Sequence, residues 1–164
     1  MTSVFKNFTF RIIELIPLLL LFYISLSGNS VIHLNFFTVN IHYILIYYWV
    51  LKQPRTIGYG FIFLSGIITD VIFGLPIGAT ALSLLIVSAV AAYARAVTVR
   101  INLINDWLTF IPALLFANFV YFIVLHLLDF SIDYISLFKN SIFTFIFYPV
   151  LWVIFSILLR FMKS

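Results

Sequence analysis

The chain contains no cysteine, which excludes disulfides and thiolate metal sites. Charge is almost as scarce: 9% of the 164 residues are charged, against 65% that are hydrophobic. A soluble domain carries charge on about a quarter of its residues, so this chain cannot cover itself with a water-facing surface. Its mean hydropathy is +1.22. The ~10-residue alternation of apolar and polar residues that marks a membrane barrel is also missing. So are internal repeats and low-complexity stretches. No nucleophile–base pair, phosphate-binding loop or paired carboxylate appears, so neither catalysis nor a cofactor is expected. The Gly58-Tyr59-Gly60 pattern opens an apolar helix with no strand before it, which is the wrong context for a dinucleotide fingerprint. The net charge of +4 does not by itself indicate nucleic acid. What remains is an all-α, polytopic membrane helix bundle, forming one domain over residues 1–164.

A hydrocarbon core of ~30 Å needs about 20 helical residues, with a range of 17–25. Six candidate spans follow: Ile12–Leu26, Phe36–Leu51, Ile57–Phe73, Ile77–Ala94, Trp107–Leu128 and Ile142–Phe161. Lys6 and Arg11 before the first run resemble a signal peptide, but no small-residue cleavage pattern follows, so a retained helix is expected. With six spans and both termini cytoplasmic, Lys6, Arg11, Lys52, Arg55, Arg95, Arg100, Arg160 and Lys163 all fall inside. Only Lys139 falls outside. This asymmetry is what the positive-inside rule demands. The outer connections are then the Ser27–Ser30 turn, the Phe73–Gly78 turn and the segment Leu128–Asn140.

The rare polar residues each admit an ordinary and a sharper reading. Asp70 lies about one turn from the outer end of the third span. It is either a headgroup-level acid or an acid turned towards a cavity or a partner helix. Gly58, Ile62, Gly66, Asp70 and Gly74 recur every four residues and share one helix face. Glycines there allow close backbone approach, so the face is expected to be buried against protein, of this chain or another. Gly74 and Gly78 bracket Pro76 in a tight turn. Tyr47, Tyr48 and Trp49, ahead of Lys52 and Arg55, read as interfacial anchors. Pro54 is expected to stop the second helix. Glu14 sits one turn from Arg11 and suits a local ion pair, and Pro17 suits a kink. Asn118 is expected to bond across to another helix. His42 and His126 map towards the outer leaflet, without the spacing of a metal site.

At Trp49, Pro54-Arg55, Gly66-Ile67-Ile68-Thr69-Asp70 and Pro76-Ile77-Gly78 the chain resembles the MreD family, a rod shape-determining membrane protein of bacteria. The family pattern is a Trp before Arg-Pro-type residues, a Gly-Leu-Leu-x-Asp helix and a Pro-Leu-Gly turn. Here the order is Pro54-Arg55, and isoleucines replace the leucines. The final span, with Thr144, Tyr148-Pro149 and Leu158-Leu159-Arg160, is also similar. The resemblance implies a fold related to the substrate-binding subunits of energy-coupling-factor importers. It implies a multi-pass protein of the bacterial inner membrane that is a non-catalytic scaffold. Its partners would be MreC, the MreB-containing elongasome, and the glycosyltransferase and transpeptidase that build peptidoglycan. Trp49, Pro54, Arg55, Gly66, Asp70, Pro76 and Gly78 would then be partner-binding or structural residues. The importer relation leaves a second expectation, a vitamin-type small-molecule-binding subunit with Asp70, His42 and His126 lining an outward pocket.

Overall fold

A computed structural model of the protein describes residues 15–28, 31–34, 37–54, 56–98, 102–130 and 134–163. Along them run α1 (Ile16–Leu26), β1 (Val31–Leu34), β2 (Phe37–Asn40), α2 (Ile41–Lys52), α3 (Tyr59–Phe73), α4 (Ala79–Val97), α5 (Leu103–Leu127) and α6 (Tyr134–Lys163). Helix α4, helix α5 and the stretch Ile135–Phe161 of α6 are each long and apolar enough to cross a membrane. The chain is thus a helical protein with the makings of a membrane protein. Helices α1 and α3, at 11 and 15 residues, rise roughly 17 and 23 Å at 1.5 Å per residue, short of a ~30 Å core.

Each of the six expected stretches contains a helix, but only α4, α5 and α6 have the length and apolarity to cross a membrane, α2 has only 12 residues, and the ends move. The second helix begins at Ile41, not Phe36, because Phe37–Asn40 pairs antiparallel with Val31–Leu34. Val31, Ile32, Thr38 and Val39 are β-branched and favour the strand. Asn40 then starts the helix as its N-cap, its side-chain oxygen accepting from the Tyr43 amide at 3.2 Å. Pro17 stands in the first turn of α1 rather than at a kink; a first-turn proline has no helical N–H bond to lose. The fifth helix starts at Leu103, ahead of Trp107, and this brings Asp106 into its first turn. The sixth starts at Tyr134, so much of the expected outer loop is helix and Lys139 lies within it. Glu14 and Arg11 lie outside the described residues.

Helix α2 is the post around which the others stand. It packs against α1, α4 and α6. The remaining helices touch in series, α1 on α3, α3 on α4, α4 on α5 and α5 on α6, and so form an arc around it. Residues His42 to Leu51 are all buried. The sequence IHYILIYYWVLK gives the reason: it is apolar on every face, the pattern of a helix enclosed on all sides. Tyr47, Tyr48 and Trp49 are therefore core residues, at most 1% exposed, and not interfacial anchors. Tyr47 and Tyr148 both lie against Phe110, with ring centroids 4.9 and 4.6 Å away. Lipid is as apolar as leucine, so packing and interhelical hydrogen bonds must hold such a bundle. The bonds include Tyr47 Oη to Thr109 Oγ1 at 2.7 Å, Tyr48 Oη with Ser156 Oγ at 3.1 Å, and Trp107 Nε1 to the Phe145 carbonyl at 2.9 Å.

Candidate functional site

Asp70 is fully buried and belongs to the α3–α4 hairpin. Its Oδ2 accepts the Gly78 amide at 2.8 Å, and its Oδ1 accepts the Thr80 amide at 2.9 Å. These are donors at the start of α4, which helix geometry leaves without intrahelical partners. Gly78 is the N-cap of α4 and has no side chain to offer, so a carboxylate on the preceding helix supplies the cap. The turn between the helices shapes this contact. Gly74 closes α3 in the left-handed region, with φ 63°, and Gly78 has φ 103°. The Leu75 amide returns to the Asp70 carbonyl at 2.9 Å, and Ala79 bonds Pro76 at 3.1 Å. Asp70 and the Pro76 turn thus hold each other in place.

One turn deeper, Gly66 meets α4 directly. A Cβ on Gly66 would lie 2.3 Å from Ala81 Cα and 2.7 Å from its nitrogen. Only glycine allows this approach, since both contacts are backbone. Ser65 and Thr69 turn their hydroxyls onto their own helix, to the Ile62 carbonyl at 2.8 Å and the Ser65 carbonyl at 2.9 Å, so the small face presents no unpaired hydroxyl at the contact. The face expected from the four-residue spacing is thus covered by this chain's own α4. It is narrower than expected: Ile62, Gly66 and Asp70 are buried, whereas Gly58 and Gly74 at its ends are exposed.

A second polar cluster joins α2, α5 and α6. Lys52 Nζ lies 2.8 Å from Asp106 Oδ2. Trp152 Nε1 donates to the same oxygen at 2.9 Å, and Lys52 also sits over the Trp152 ring, 5.3 Å from its centroid. Asp106 is 2% exposed and Lys52 15%. Above the cluster, Tyr47 bonds Thr109, and Thr109 returns its proton to the Asn105 carbonyl at 2.7 Å. Asp106 is not among the residues singled out from the sequence. Its one local signal was an acid standing among cations assigned to the inner side, and nothing in the spacing linked it to Lys52 or Trp152.

Of the residues singled out from the sequence, Gly66, Asp70, Pro76 and Gly78 converge on the α3–α4 hairpin. Trp49 does not join them. It is buried in α2 beside Tyr48 and Phe155, and its indole N–H has no partner among the described residues. Pro54 follows α2 in an exposed turn, two residues past the last helical position. Arg55 lies outside the described residues. Asp70, His42 and His126 each have separate partners: His42 Nε2 is 3.0 Å from Ser25 Oγ, and His126 stacks on Phe122 at 5.8 Å. Among the described residues no three His, Asp or Glu side chains are grouped to hold a metal ion. Asn118 does reach another helix, donating from Nδ2 to Ser141 Oγ of α6 at 2.8 Å. No family model, curated protein or solved structure matches this chain.

Proposed function

We propose that this protein is a non-catalytic scaffold of the bacterial inner membrane, of the MreD kind. In this reading it links MreC and the MreB filament to the glycosyltransferase and transpeptidase that extend the lateral wall, and so maintains rod shape. One observation carries the reading: Gly66, Asp70, Pro76 and Gly78, four of the residues on which the resemblance rests, act as a single locked hairpin. Both oxygens of its acid are engaged by backbone donors, so the acid serves architecture. The surface agrees with a role in assembly. Helices α5 and α6 turn large apolar side chains outward, including Leu115, Phe119, Phe138 and Val153, in quantity suited to lipid and neighbouring helices.

Depletion in a rod-shaped host is the direct test. Loss of rod shape and of lateral wall synthesis, restored by the wild-type chain, is the expected result, together with co-purification of MreC from native membrane. Cells that keep their shape and wall pattern without the protein would refute the proposal.

A further inference from the structure

Helices α5 and α6 line an outward-open groove of about 510 Å³. Leu115, Phe119, Phe138 and Ile142 form its rims, and Leu114 is buried at its floor. One polar pair interrupts this apolar lining, Asn118 and Ser141. Asn118 lies within one turn of the midpoint of the 25-residue α5, and so at hydrocarbon depth, well away from headgroups and water. Ser141 donates its proton to the Leu137 carbonyl at 2.8 Å. It can therefore only accept from Asn118, which fixes the amide nitrogen towards Ser141. The amide oxygen of Asn118 has no partner among the described residues.

We propose that this groove receives one membrane-spanning helix of a partner protein, which presents a hydrogen-bond donor to the side-chain oxygen of Asn118. The chemistry selects the occupant. An acyl chain fills apolar volume but has no donor, and an acceptor left bare in hydrocarbon is unfavourable. A second copy meeting this face across a two-fold axis would set groove against groove, because such an interface uses the same patch twice. A single helix carrying Ser, Thr, Asn or Gln at mid-depth fills the volume with its ridge and satisfies the oxygen. The inference deepens the scaffold reading by naming where a partner sits, and rests on it for the existence of that partner.

The test uses a defined probe. The full chain, labelled through Lys139→Cys, is reconstituted in phosphatidylcholine vesicles with a labelled polyleucine helix carrying one central Asn, diluted below its own self-association. An all-leucine helix is the control. Energy transfer should report binding of the Asn helix about threefold to tenfold tighter than the control, as one interhelical hydrogen bond implies. Asn118→Leu should abolish that preference, while Ser141→Ala should keep it. Equal binding of the two helices, or a preference that survives Asn118→Leu, overturns the proposal. In native membranes, a photocrosslinker in place of Phe138 should capture a one-span protein in a manner lost with Asn118→Leu. Adducts to lipid or to a second copy alone also overturn it. Normal cell shape on depletion, beside intact Asn118-dependent helix binding, would refute the scaffold reading and leave the groove assignment standing.

Discussion

Gly60 and Gly66 both stand in α3, yet their replacement by alanine should differ in effect. A Cβ at Gly60 meets nothing within 4 Å, whereas at Gly66 it meets the Ala81 backbone. Gly60→Ala should therefore be neutral or stabilising, by at most about 0.5–1 kcal/mol, because the full helix-interior difference does not apply in the first turn of α3. Gly66→Ala should destabilise by about 1–3 kcal/mol or more, because two backbones must separate. Thermal unfolding in detergent distinguishes them, and equal melting temperatures would mean that α3 and α4 do not touch there. Asp70 belongs to the same hairpin. Asp70→Ala leaves one buried amide, that of Thr80, and one part-buried amide, that of Gly78, without acceptors and should cost on the order of 2–3 kcal/mol. Asp129 is exposed, with φ 54°, so Asp129→Ala should cost much less, and Asp129→Gly should be neutral or slightly stabilising. Similar losses for Asp70→Ala and Asp129→Ala would remove the cap from the account.

At the scale of elements, the α2–α5–α6 seam depends on a pair in which neither partner is freely hydrated. Breaking a buried ion pair from one side leaves a stranded charge and costs about 3–5 kcal/mol, whereas replacing both partners by apolar residues is often neutral. Asp106→Asn should thus lower stability clearly more than the double replacement Lys52→Met with Asp106→Leu. If the double variant is as unstable as the single, the pair is not what holds the three helices. The same seam shows what sequence could and could not reveal. Helices as such were legible, because apolar runs of this length have few other solutions. That α3 buries a small-residue face was legible because Ile62, Gly66 and Asp70 recur every four residues on one side of the helix, but the spacing left open whether this chain or another covers that face, and α4 does so. Lys52, Asp106 and Trp152 are far apart in the chain, and no local period records their meeting. Tyr47, Tyr48 and Trp49 misled for a related reason. Aromatics before a cation look alike at a lipid interface and in a core, and only the surrounding arc of helices tells them apart. The hairpin before α2 was hidden inside an apolar run, where β-branched residues are compatible with either state.

At the scale of the whole molecule, the Lys52–Asp106 contact constrains topology more strongly than charge counting does. The end of α2 and the start of α5 meet at 2.8 Å, so they lie at the same level, and the chain between them must leave and return. Helices α3 and α4 make that excursion, and the Asp70 cap marks its far end. Pro54 and Asn102 should then face one side of the membrane, and Ile77 and Asp129 the other; all four are exposed. The absence of native cysteine makes this directly measurable. Single cysteines at Pro54 and Asn102 should be protected from an impermeant maleimide in intact cells and react after permeabilisation. Cysteines at Ile77 and Asp129 should react in intact cells. The sidedness comes from the basic residues, and the pairing of positions comes from the ion pair, so the two can fail separately. Labelling of all four with sides exchanged would reverse the orientation and leave the fold intact. Labelling of Pro54 and Asn102 from opposite sides would break the α2–α5 contact, and with it the arrangement of the arc around the central helix.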